Sequence, residues 1–161
     1  MAGLEDLYRE IILDHYRSPR NRGELETPPA IRTEGFNPLC GDEIVVYIDL
    51  GEGTGDDRVI NDIRIGGQGC SISQSSASMM SSAVKGKTVA EAREVMRAFK
   101  SMMSIHESSL DDHADEPTPE EITELDLGDL EALRGVVKFP VRIKCATLSW
   151  NTLGESLAET N

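Results

Sequence analysis

At 161 residues the chain is long enough for one domain with a substantial core, and 29 acidic against 16 basic residues leave it a net charge of −13. That charge argues against nucleic acid or an anionic membrane as a partner, and no apolar run approaches a membrane span, the longest being Ile44 to Ile48. Its three cysteines, behind a start (Met1 to Glu5) with no basic-then-apolar leader, point to free thiols or metal ligands in a reducing cytoplasm rather than to a disulfide framework.

Leu4, Leu7, Tyr8, Ile11, Ile12 and Tyr16 recur at helical spacing and predict an amphipathic first helix that Pro19 stops. Arg17, Arg20 and Arg22 follow as a basic knot. They suit a helix C-terminus as solvated charges, or they form a docking patch for an acidic partner. Pro28 and Pro29 mark a loop, and Ile31 to Phe36 predicts an edge strand. Asn37-Pro38-Leu39-Cys40-Gly41-Asp42 then sets a thiol and a carboxylate two positions apart at a Pro/Gly turn. Both groups ligate divalent metal, although a small buried thiol beside a turn-forming aspartate is an equally ordinary explanation. Ile44, Val46, Ile48 and Leu50 alternate with Val45, Tyr47 and Asp49, the period of a strand. After a turn over Gly51 to Asp57, Arg58 to Ile65 predicts another strand, with Val59, Ile63 and Ile65 on its apolar side. An antiparallel meander follows.

Gly66-Gly67-Gln68-Gly69-Cys70 is expected to end the sheet, with Ser71 capping a serine-rich helix over Ile72 to Val84. A thiol at a helix N-terminus faces the positive end of the backbone dipoles, which favours thiolate. The P-loop Lys and the dinucleotide fingerprint are both missing, so this is no phosphate loop. Met79 and Met80 read as core. Thr88 and Glu91 form a capping box for a helix whose stripe is Val89, Ala92, Val95, Met96, Phe99 and Met103. Ser104 to Thr118 reads as an acidic loop, where His106 and His113 are solvated side chains or ligands. Thr118-Pro119-Glu120-Glu121 restarts a helix, and Leu130, Leu133, Val136 and Val137 lie on a second short one. Phe139-Pro140 leads into a long terminal helix with Cys145 in its first turns and Val141, Cys145, Leu148 and Thr152 on one face. All three cysteines thus sit at element boundaries. With a carboxylate they would make a tetrahedral set that suits zinc, or they could bind an iron–sulfur cluster, and the thiol spacing does not discriminate.

Three segments carry a family resemblance: Asn37 to Asp42, Gly67-Gln68-Gly69-Cys70-Ser71-Ile72-Ser73 on through Ala77-Ser78-Met79-Met80, and Arg142-Ile143-Lys144-Cys145-Ala146-Thr147-Leu148. Together with His15-Tyr16-Arg17-Ser18-Pro19-Arg20-Asn21 they resemble the IscU/NifU-N family of iron–sulfur cluster assembly proteins. Lys144 stands where scaffold-type members have His, and Val136-Val137-Lys138-Phe139-Pro140 replaces their Leu-Pro-Pro-Val-Lys sequence. The acidic insertion at about 104–118 is likewise foreign to them. These departures resemble the SufU branch, zinc-dependent sulfur-transfer proteins that work with a SufS-type cysteine desulfurase.

The resemblance implies an α+β fold, a three-stranded antiparallel sheet with helices packed on it, as one domain over residues 1–161. It implies zinc held by Cys40, Asp42, Cys70 and Cys145. A His from the desulfurase would replace Cys40 on the metal, and the freed thiolate would attack the enzyme's persulfide. Arg142, near the mouth of the site, would stabilise the developing sulfur anion, or else it makes a surface salt bridge. Downstream partners would be other iron–sulfur assembly proteins. Two alternatives stay open: an IscU-type scaffold that carries iron or an iron–sulfur cluster on the same ligands, and a structural zinc protein without chemistry.

Overall fold

The computed structural model describes residues 4–27, 30–38, 41–53, 55–104, 130, 132–133, 136 and 140–159. Cys40, the expected acidic loop beyond Ser104 with His106 and His113, and the helix expected at Thr118-Pro119-Glu120-Glu121 lie outside them. The elements run α1 (Leu4–Arg17), β1 (Ile31–Asn37), β2 (Asp42–Leu50), β3 (Ile60–Gln68), α2 (Ser71–Val84), α3 (Val89–Ser104) and α4 (Pro140–Glu159). The strands form one antiparallel sheet in the order β1-β2-β3, as the alternation led one to expect.

Alternation along β2 turns Ile44, Val46 and Ile48 into the core, where Ile63 and Ile65 of β3 join them under α2 and α4. Two expectations need correction here. Val59 is exposed and Ile60 is buried instead, because the register slips between Asp49 and Leu50: Asp49 faces Asp62, Leu50 faces Ile60, and Asn61 is the extra residue of a bulge. The glycine run does not end the sheet either. Gly66, Gly67 and Gln68 continue β3 opposite Val45, Ile44 and Glu43. Gly67, at φ +103, has no alternative residue type, since a Cβ there would overlap the Glu43 carbonyl. The strand therefore delivers the chain straight into α2, whose N-cap is Cys70 rather than Ser71.

The serines of α2 are mostly buried, and their hydroxyls find partners that a helix placed against apolar neighbours would not need. Ser78 Oγ meets His15 Nδ1 and accepts the Arg20 backbone N–H, both at 2.8 Å. Ser81 Oγ accepts from Asn21 Nδ2 at 3.0 Å and donates to the Ser78 carbonyl at 2.7 Å, with the Arg20 carbonyl as the alternative acceptor at 3.2 Å. These bonds sew α1 and its following turn to α2. Two arginines of the knot are drawn into the same seam: Arg20 pairs with Asp14, and Arg22 Nη2 donates to the Gly67 carbonyl at 2.9 Å.

Helix α4 lies antiparallel along β1. Asn37 contacts Cys145, Gly35 sits against Leu148 and Thr152, and Ser156 Oγ donates to Thr33 Oγ1. Four helical residues advance about 6 Å and two strand residues about 6.6 Å, so the two ladders stay in step. Gly35 permits the approach, because a Cβ there would strike Thr152 Oγ1. On the other side of α4, Trp150 stacks on Phe99 of α3 with ring centroids 4.5 Å apart, worth about 0.5–1.5 kcal/mol beyond burial. Ser76 Oγ, fully buried, accepts from Trp150 Nε1 at 3.1 Å and donates to the Ala146 carbonyl at 2.6 Å, clamping α2 to α4. Leu130, Leu133 and Val136 are buried in the same core, while Val137 is outside the described residues. Among the described residues no helix is long and apolar enough to cross a membrane.

Candidate metal centre

Three elements end at one point. Asp42 opens β2, Cys70 caps α2 and Cys145 lies in the second turn of α4. One ligand atom from each falls within 4.8 Å of the other two. The convergence follows from packing already described: β3 overruns into α2 beside the start of β2, the α4–β1 ladder sets Cys145 against the end of β1, and the Ser76 clamp holds the two helices together.

Asp42 and Cys145 are fully buried and Cys70 is half-buried. A buried carboxylate is expensive unless it is satisfied. Asp42 Oδ1 accepts the Cys70 backbone N–H at 2.9 Å, and Oδ2 lies 3.9 Å from Cys70 Sγ. One oxygen is thus spent on orientation and the other faces the thiols. Gly69 makes this possible, since a Cβ there would stand 2.5 Å from Asp42 Oδ1 and 2.6 Å from Ser73 Oγ. Cys145 Sγ has the Asn37 side-chain amide at 3.8 Å.

Arg142 is exposed and lies one helical turn before Cys145. The charge of Cys70 and a hydrogen bond to its thiol hold the guanidinium above its ordinary value, with Cys145 contributing less. Its guanidinium therefore lies near both thiols. Lys144 is exposed. His15 belongs to the α1–α2 seam and is not in the donor cluster.

Two thiols and a carboxylate crowded into this space repel one another once ionised, and a single exposed guanidinium offsets little of that. A divalent cation between them would remove the conflict, and a thiolate-rich set with one carboxylate suits zinc. Four-coordination leaves one place beyond these three donors. Cys40 precedes Gly41 and Asp42 on the turn closed by the Gly41 N–H to Asn37 carbonyl bond of 2.8 Å, but the thiol itself lies outside the described residues. Sequence reasoning named Asp42, Cys70, Cys145 and Arg142, all of which meet here. It missed Asn37 and Gly69, whose only sequence signal is adjacency to the cysteine motifs.

Residues 7–146 match the model of the NifU-like N-terminal domain. The zinc-dependent sulfurtransferase SufU of Bacillus subtilis is 44% identical over 98% of this chain and 94% of its own length. The iron–sulfur cluster assembly scaffold protein IscU of Streptococcus pyogenes is 37% identical over 98% of this chain and 86% of its own. Among solved structures, a candidate iron–sulfur cluster assembly scaffold protein for the SUF system from Fervidobacterium islandicum superposes with a TM-score of 0.71 at 32% identity, over 96% of this chain and 99% of the other. With its three-stranded sheet, its converging Asp-Cys-Cys donors and these relatives, the chain belongs to the IscU/NifU N-terminal-domain family of iron–sulfur cluster assembly proteins, on its SufU-type branch.

Proposed function

We propose that this chain is a zinc-dependent sulfur-transfer protein that accepts persulfide sulfur from a SufS-type cysteine desulfurase and passes it on to iron–sulfur cluster assembly. The observation that carries the proposal is the convergence of Asp42, Cys70 and Cys145 within 4.8 Å, three donors from three separate elements beside the turn that bears Cys40. Zinc held by these three and Cys40 would keep the thiols ionised at neutral pH.

The remaining chemistry belongs to the chain's own residues. Cys40, which the sequence sets in the Pro38-Leu39-Cys40-Gly41 turn motif, is the thiol that would reach a partner. Its thiolate attacks the outer sulfur of the donor's persulfide. A new S–S bond forms on Cys40, the donor's S–S bond breaks, and the donor cysteine leaves as a thiolate, so no oxidant or reductant is needed. Arg142, whose guanidinium the Cys70 and Cys145 thiols hold above its ordinary value, would supply positive charge where sulfur anions accumulate. Asp42, Cys70 and Cys145 stay in place because each is anchored: Asp42 by the Cys70 amide, Cys70 by its carbonyl, which accepts the Gln74 N–H at the start of α2, and Cys145 inside α4.

A scaffold reading, with a cluster built on the same ligands, draws support from the IscU relative of Streptococcus pyogenes. Lys144 in place of a histidine donor weighs against it. Metal content by mass spectrometry, combined with desulfurase turnover with and without the protein, decides between them. Zinc with stimulated turnover supports sulfur transfer, iron with a visible chromophore supports a scaffold, and zinc without stimulation means a structural metal.

A further inference from the structure

We infer that Asn37 is a positioning residue of the metal–thiolate site: its side-chain amide donates to the Cys145 sulfur and makes that cysteine the anchored, non-transferring thiolate. The inference rests on the proposed metal site and adds a residue to it. Asn37 is buried, 6% exposed, at the last position of β1, where it opens the turn that follows. A buried amide must be hydrogen-bonded, and a thiolate can only accept, so the donor nitrogen faces Cys145 Sγ, 3.8 Å away.

The same residue organises two other ligand positions. Its carbonyl accepts the Gly41 N–H at 2.8 Å, closing the turn that carries Cys40, and it stands directly opposite Asp42 in the sheet register. Asn37 therefore links the terminal helix, the Cys40 turn and the start of β2 through one buried side chain and its own backbone.

An N–H donor to a thiolate withdraws electron density from sulfur, which weakens it as a nucleophile and fixes its orientation as a ligand. Cys70 has a different environment, half-buried and beside the Arg142 guanidinium. The site is thus graded: Cys145 is quiet and fixed by a neutral amide, while the side facing solvent and Arg142 is the reactive one.

The decisive measurement loads the unsubstituted, 15N-labelled protein with cadmium-113. A scalar coupling between the metal and an Asn37 side-chain amide proton is expected, transmitted through the N–H···S bond. Cadmium uptake with no such coupling overturns the role of Asn37 alone, whereas no uptake at all sinks the metal site with it. Asn37→Leu, close in volume but without a donor, then separates electronic from packing effects. In the cobalt(II)-loaded variant the thiolate charge-transfer band should move to lower energy. An unchanged band in Asn37→Leu would refute the inference.

Discussion

Gly69→Ala tests the carboxylate cradle most directly. Gly69 does not use a left-handed backbone, so alanine can adopt its conformation and the cost is purely one of contact. The new methyl would stand 2.5 Å from Asp42 Oδ1 and 2.6 Å from Ser73 Oγ. Reaching ordinary contact at 3.4 Å requires the carboxylate to withdraw by 3.4 − 2.5 = 0.9 Å. That displacement sacrifices the Cys70 N–H to Oδ1 bond of 2.9 Å. A hydrogen bond to a charged group contributes about 1.5–3 kcal/mol. At about 1.4 kcal/mol per decade, zinc affinity should fall by about one to two orders of magnitude. The assay is competition with a chromophoric zinc chelator, alongside a thermal melt. Gly86→Ala is the control: at φ +83 with nothing within 4 Å, it strains only the backbone, so it should cost about 1–2 kcal/mol of stability and leave zinc affinity unchanged. Gly69→Ala that held zinc within twofold of the parent would show that Asp42 is not oriented by this close approach.

Cys40→Ala should abolish acceptance of labelled sulfur from the desulfurase yet retain weakened zinc binding, whereas Cys70→Ala or Cys145→Ala should damage metal retention itself; gel-resolved transfer and metal analysis separate the two patterns. Asp42→Cys should hold zinc more tightly, because thiolate is the softer donor, but should stimulate the desulfurase poorly; tighter zinc with full turnover would disprove a deliberately labile site. Chelation should lower the melting temperature, since a ligand that binds only the folded state stabilises it by mass action, and an unchanged melt would mean the metal ties nothing together. Ser76→Ala should cost about 1–3 kcal/mol by leaving the buried Trp150 Nε1 without its acceptor, measured by denaturant unfolding followed through the single tryptophan.

The amino-acid sequence by itself determined the periodic elements and the motif neighbourhoods. Alternation along Ile44 to Leu50 and helical spacing along Val89 to Met103 encode which side faces inward, and that information is local. Three motif segments around Cys40, Cys70 and Cys145 sufficed for the family, because the chemistry requires those residue types in order. What the sequence did not carry is what depends on register and helix rotation. The bulge at Asn61 that buries Ile60 in place of Val59, and the extension of β3 through Gly66 and Gly67, are settled by pairing with β2. In the sequence the serines of α2 mark only a serine-rich helix, yet their buried hydroxyls bind His15, Arg20, Asn21 and Trp150 across the fold. Asn37 and Cys145 meet across a sequence separation of 108 residues only because a helix stepping by four and a strand stepping by two advance nearly the same distance. A local pattern states that a side chain points inward; which distant side chain it then meets is decided by how the layers slide and turn against one another.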